Sequence, residues 1–157
     1  MDQVKARRAE FIAVHNAYEG VYHAYAQKAG MTEIPFRILC AVCDGQAPLS
    51  QVDVCRLWNF PKQSVNTAII RLVKQGYVQL VQDKEAAGNR KWITLTKEGR
   101  AYCEKWVYPL LAADLKAFGL LSDKEQVLYI DVIRRQRDSL RASLEMVVEK
   151  NLGSVKS

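Results

Sequence analysis

Residues 49–99 constrain this chain more than any other stretch, because the spacing of apolar residues there passes from helical to alternating and back within one short segment. In LSQVDVCRLW, Ser50 is a natural N-cap with Asp53 three residues on as a short capping-box acid, and Val52, Val54, Cys55 and Leu57 supply apolar positions for about two turns. Trp58-Asn59-Phe60 breaks that pattern. Pro61 suits the first position of a second helix, where its missing N–H would be unpaired in any case. Val65, Ala68, Ile69, Leu72 and Val73 then recur at helical spacing until Gly76, a C-cap glycine. Beyond it the period falls to two. Residues 77–81 and 91–95 are rich in β-branched and aromatic side chains, and the polar DKEAAGNR between them carries Gly88 and Asn89 as turn formers, so the pair reads as a hairpin with a long tip.

The outer face of the second helix carries Lys62, Gln63, Ser64, Asn66, Thr67, Arg71 and Lys74. Amides that pair two-pronged with adenine, small hydroxyls, and cations for phosphate are the mixture that reads duplex DNA. A helix-turn-helix followed directly by a hairpin whose tip and rim hold Lys84, Arg90 and Lys91 is a winged helix, in which the hairpin reaches along the backbone or into a minor groove. The order of elements is more specific than any one of them. Charge placement agrees: residues 56–100 hold nine Lys/Arg against three Asp/Glu, which accounts for the whole net charge of +6, while the rest of the chain balances. A basic run alone is more often a solvated face; joined to this order of elements it reads as a footprint for a polyanion.

Long helices flank the unit. Phe11, Val14, Tyr18, Val21, Tyr22 and Tyr25 form a stripe of some six turns ended by Gly30, and Thr32 caps a bracing helix that tolerates Pro35 in its first turn and carries Phe36, Ile38, Leu39, Val42 and Cys43. After the hairpin, Thr96 caps a helix that Pro109 should kink near its middle by removing the bond to the Lys105 carbonyl. Ser122 and Glu125 form a capping box opening a last helix with Val127, Ile130, Ile133, Leu140, Leu144, Val147 and Val148 on one side, followed by a frayed tail from Asn151. Terminal helices with broad apolar stripes and little to cover them fit a two-fold dimer. The expected architecture is therefore a single domain over 1–157, mainly α with a small β-hairpin wing: a winged helix-turn-helix unit over 31–96, and dimerisation helices over 3–30 and 97–150.

MTEIPFRIL from Met31, the turn at 45–50, SVNTAIIRLVKQGYV from Ser64 and WITLTKEGRAY from Trp92 resemble, in that order and spacing, the MarR family of bacterial transcriptional regulators. The resemblance spans about residues 8–148. It implies a homodimeric winged helix-turn-helix protein that binds a pseudo-palindromic operator in double-stranded DNA and is often released by a small ligand or oxidant. Two positions depart from the family's pattern: Pro61 stands where a helix-opening serine or threonine is usual, and the wing's Asp-x-Arg is replaced by an early Asp83 with Asn89 and Arg90 near the arginine position. In that family, ligands lie between the dimerisation helices and the winged-helix unit. Here that region could gather His15, Tyr18, Tyr22, Tyr25, Arg37, Tyr102 and Trp106, a set suited to an aromatic carboxylate, although an aromatic stripe at helical spacing is more often core.

Other chemistries find little support. There is no Gly-rich phosphate loop and no nucleophile motif, and both histidines fall on the first helix, so no enzymatic activity and no cofactor are expected. Cys40-x-x-Cys43 has a zinc-like spacing, but no second pair follows and both thiols lie on an apolar helix side, so core packing is favoured and no metal is expected. A redox-responsive regulator is an alternative. The peroxide-sensing branch of the resembled family has its cysteine near the start of the first helix, where this chain has none, which leaves Cys103 as the least clearly buried candidate. A second alternative is a winged helix that docks an acidic protein partner; the amide-rich outer face argues against it. A polar N-terminus and a longest apolar run of only residues 38–43 lead to the expectation of a cytoplasmic protein with no membrane partner.

Overall fold

Helix α1 (Asp2–Lys28) stops where Gly30 enters the left-handed region at φ 74°, a conformation open to glycine because it lacks a Cβ. The Gly30 N–H then bonds the Gln27 carbonyl and the Met31 N–H the Ala26 carbonyl, a Schellman closure that buries Met31 and Ala26. The same device ends the second helix of the helix-turn-helix, where Gly76 (φ 76°) places its N–H on Val73 and the Tyr77 N–H on Leu72. The computed structural model describes residues 1–45, 47–82 and 90–153. They fall into two compact units, Met1–Ala112 and Ala113–Ser157.

In the first unit α1 is followed by α2 (Glu33–Asp44), a two-residue strand β1 (Leu49–Ser50), α3 (Gln51–Trp58), α4 (Lys62–Lys74), the hairpin β2 (Val78–Gln82) and β3 (Lys91–Leu95), and α5 (Lys97–Tyr102). The sheet order is β1-β3-β2, all antiparallel, with Leu49 opposite Ile93, Ser50 opposite Trp92, and Val78 opposite Leu95. The core is built from Ile38 and Leu39 of α2, Val54 of α3, Val65 and Leu72 of α4, and Val78 and Ile93 of the hairpin, all fully buried or nearly so. The expected fold class, mainly α with a hairpin wing on a helix-turn-helix, is borne out. Strand β1 is an addition: two residues carry too little pattern to announce a strand.

Several local expectations need correction. Pro61 is the N-cap of α4 rather than its first residue, and its carbonyl accepts from the Val65 N–H. Val52, Leu57 and Val73 face outward, because the core touches only one narrow face of each helix, which Val54 fills on α3 and Val65, Ala68, Ile69 and Leu72 fill on α4. Thr32 occupies the N-cap of α2 without a side-chain cap bond; its hydroxyl accepts from Arg71 Nη1 at 3.2 Å instead. Strand β2 begins at Val78, one residue late. The irregularity demanded by Pro109 takes the form of a π turn, Cys103–Val107, between α5 and α6 (Tyr108–Phe118), with the Tyr108 N–H bonded five residues back to Cys103. A widened turn just before the proline accommodates the carbonyl its ring cannot serve.

Thr96 caps α5 through the Gly99 N–H at 2.9 Å. In the second unit, the Ser122–Glu125 capping box opens α7 (Asp123–Gly153), with the Ser122 N–H and hydroxyl donating to Glu125 Oε2 at 2.8 and 2.7 Å. The helix runs through Gly153, past the expected fraying point at Asn151. Val127, Ile130, Ile133, Leu140, Leu144, Val147 and Val148 are exposed along it. Among the described residues no helix is long and apolar enough to cross a membrane.

Candidate nucleic-acid interface

The turn into α4 is set by Asn59, the one non-glycine residue described with positive φ (51°), and by Pro61, which cannot continue α3. Gln51 Nε2 at the start of α3 donates to the Lys62 carbonyl at 3.4 Å, tying the two helix starts together. With Val65, Ala68, Ile69 and Leu72 committed to the core, helical geometry turns Lys62, Gln63, Asn66, Thr67, Arg71 and Lys74 outward; all six are exposed and Ser64 is half-buried. Thr67 donates its hydroxyl proton to the Gln63 carbonyl at 3.0 Å, which leaves its oxygen as an acceptor. Arg71 leans back to Thr32.

On the hairpin, Lys91 is exposed. Arg90 is drawn toward the body of the unit: Nη2 lies 2.8 Å from Asp53 Oδ2, and the guanidinium carbon lies 4.3 Å from the centre of the Trp92 ring. Asp53 also closes the α3 capping box, accepting from the Ser50 N–H at 2.9 Å and the Ser50 hydroxyl at 2.6 Å. The Ser50 hydroxyl, the Ser50 N–H and the Arg90 guanidinium hold the Asp53 carboxyl below the usual carboxylate range, against a smaller effect of burial. Lys84, with Asp83, Gly88 and Asn89, lies outside the described residues.

The residues expected to form a ligand pocket fall into separate groups. Arg37 sits over the rings of Tyr22 (5.8 Å) and Trp58 (4.9 Å), and is paired with Glu19 and, at 2.9 Å, with Glu33. Tyr18 joins through its hydroxyl, 2.8 Å from that of Tyr22. His15 instead stacks on Phe11 at 5.8 Å. Tyr25 and Tyr102 spend their hydroxyls on backbone, donating to the carbonyls of Trp106 and Ala29, each at 2.9 Å, and burial raises Tyr102 above the ordinary tyrosine range. Trp106 meets Tyr25 edge-on at 6.1 Å. Of the partners that sequence reading missed, Glu33 was legible as an i,i+4 mate of Arg37; Glu19 and Trp58 carried no local signal. A cleft of about 640 Å³ lies elsewhere, lined by His23 of α1, Thr32 and Glu33 at the start of α2, and Ser64, Thr67 and Arg71 of α4.

The thiols correct another expectation. Cys103 is fully buried, not the most accessible of the four, because it belongs to the core cluster that α2 supplies with Ile38, Leu39 and Cys40. Its thiol donates to Cys43, and that bond and burial hold it protonated. Burial pushes Cys40 up to about 12, while hydrogen bonds from Cys103 and Tyr108 lower Cys43.

These features define a winged helix-turn-helix protein with long helices at both ends of the chain. The sequence profile of the MarR family matches residues 29–87, which bears out the resemblance to that family over most of the winged-helix unit. Solved structures extend the likeness of fold further. NMB1585, a MarR family regulator from Neisseria meningitidis, matches with a TM-score of 0.67 at 21% identity over 96% of this chain and 99% of its own. MepR from Staphylococcus aureus, solved as a DNA complex, matches with a TM-score of 0.68 at 17% identity over 83% and 93%. PcaV from Streptomyces coelicolor, a transcriptional regulator solved with its natural ligand, matches with a TM-score of 0.58 at 19% identity over 81% and 91%. No curated protein matches the sequence significantly.

Proposed function

We propose that this protein is a homodimeric, sequence-specific DNA-binding transcriptional regulator, a repressor released by a small ligand. The observation that carries the reading is the outward face of α4, where amides, a hydroxyl and three cations stand exposed on a helix whose other face is locked into the core. Gln63, Ser64, Asn66 and Thr67 are the base-reading set; Lys62, Arg71, Lys74, Lys84, Arg90 and Lys91 are the backbone set. The fold shared with MepR, solved on DNA, supports this. Dimerisation is supported by the apolar residues exposed on α1 (Phe11, Val14, Val21) and on α7 (Ile133, Leu140, Leu144), surface that a monomer would leave wet. In such a dimer two recognition helices enter successive major grooves about 34 Å apart, which requires a pseudo-palindromic operator.

Release by a ligand is supported by two places: the cleft that shares Ser64, Thr67 and Arg71 with the DNA-facing surface, and the Arg37 group, where the buried Trp58 Nε1–H has no partner among the described residues. A ligand acts only through its differential affinity for free and operator-ready forms.

The test is selection from random-sequence duplex DNA by the purified protein at two salt concentrations, followed by sequencing of what is retained. Enrichment of a pseudo-palindrome with a steep salt dependence is the expected result. Salt-sensitive retention without any enrichment would overturn the sequence-specific reading and favour an acidic protein partner.

A further inference from the structure

Beyond the buried Val78 and Ile93, where residues 79–82 and Lys91 are exposed, the β2–β3 hairpin has a slender attachment to the rest of its unit. Its edge strand partner β1 is two residues long, pairing only Leu49 with Ile93 and Ser50 with Trp92, and a hairpin with so little ladder beside it is marginal by itself. The pairing ends at Trp92, two residues after Arg90. Arg90, one residue before β3, sets its guanidinium carbon 4.3 Å from the centre of the Trp92 ring while its Nη2 donates to Asp53. Asp53 in turn is bonded to Ser50, the residue opposite Trp92 and itself buried. Ser50, Asp53, Arg90 and Trp92 therefore form a closed loop: strand pair, helix cap, ion pair and ring contact.

We propose that Arg90 is a positioning residue that latches the wing to the start of α3, rather than a contact to the DNA backbone. The proposal rests on the DNA-binding reading above and refines it, moving Arg90 out of the backbone-contacting set. An exposed ion pair is ordinarily worth little. This one differs in two respects. Its acceptor is already fixed by the α3 cap, so little side-chain freedom is lost at that end, and the planar guanidinium gains a ring contact that an ammonium cannot copy. The acid also sits in the first turn of α3, where the helix dipole favours negative charge and keeps the acceptor ionised. By holding the hairpin stem at a set angle to α3, and through it to α4, the latch decides where the exposed Lys91 meets the backbone when α4 occupies the groove.

The experiment compares Arg90→Gln, Arg90→Lys, Asp53→Asn and the Arg90→Gln/Asp53→Asn double variant. Affinity for the selected operator is measured over a range of salt, and amide exchange of residues 91–93 is followed in the DNA-free protein. A latch predicts that each single change weakens operator binding about threefold. The double variant should be no weaker than either single one, and the slope of log affinity on log salt should stay unchanged. Arg90→Lys should behave like Arg90→Gln, since charge without the planar fork does not hold the ring and the acid together. Exchange at 91–93 should quicken in all variants. A salt slope reduced by about 0.9 in Arg90→Gln, restored in Arg90→Lys and untouched in Asp53→Asn, would make Arg90 a phosphate contact and overturn the proposal. The exchange measurement separates the two readings: unchanged exchange sinks the latch whatever DNA does, while quickened exchange in a protein that selects no operator keeps the latch and sinks DNA reading. The Arg90 variants leave the Ser50–Asp53 capping box intact, so they report on the latch without loss of the helix.

Discussion

Gly99 packs against the carbonyl of Tyr77 so closely that a Cβ on it would lie 1.8 Å from the carbonyl oxygen. The same carbonyl accepts the Thr96 N–H at 3.1 Å, and Thr96 in turn caps Gly99. One residue type thus allows α5 to start directly against the turn that ends α4.

Gly99→Ala is accordingly expected to destabilise the protein by about 2–3 kcal/mol, because backbone on both sides must move apart. Gly20→Ala is the matched control: its Cβ would meet nothing within 4 Å in the middle of α1, and removing glycine's unfolded-state freedom should stabilise by about 0.5–1 kcal/mol. Denaturant unfolding of both variants measures the contrast, and equal effects of one sign would contradict it.

Acid stability should carry the signature of Asp53. Its carboxyl is held below the usual range chiefly by Ser50 and further by Arg90. A depressed folded pKa contributes stability that is fully present above the unfolded value, about 3.9, and is lost as pH falls through the folded value. Asp53→Asn should therefore lower the melting temperature at pH 7 more than at pH 3. A difference that is constant across that range would mean the carboxylate contributes nothing as an anion.

Base reading and backbone positioning should separate on α4. Asn66→Ala is expected to reduce discrimination at one base pair per half-site by about 1–3 kcal/mol while leaving random-sequence binding intact. Lys74→Ala should weaken all sequences alike and flatten the salt slope by about 0.9. Equal losses on operator and random DNA for Asn66→Ala would remove it from the base-reading set.

Thiol chemistry should follow burial and hydrogen bonding. Cys40, pushed up to about 12, and Cys103, fully buried and donating to Cys43, should resist alkylation at pH 8 in the folded protein. Cys43 and Cys55, both partly exposed, should be modified first. Peptide mapping after a short pulse of iodoacetamide checks the order; early labelling of Cys103 would mean that the core opens readily around it.

What could be read before any coordinates were the interactions that span a few residues. The Ser50–Asp53 and Ser122–Glu125 capping boxes, the Thr96 cap, the glycines at 30 and 76, and the apolar set of Val65, Ala68, Ile69 and Leu72 all act within one or two turns of the chain, so residue type and spacing alone specify them. That is enough to order the elements and to turn the polar face of α4 outward. Tertiary structure decided the rest. Arg90 meets Asp53 across 37 positions, Tyr102 meets Ala29 across 73 and Tyr25 meets Trp106 across 81, and it is these partners that tie an arginine of the hairpin to α3 and commit two tyrosine hydroxyls to backbone carbonyls. The burial of Cys103 likewise depends on the core residues of other elements that close around it. A local pattern states which face of an element is apolar; which distant group each polar side chain meets is settled only when the elements close on a shared core.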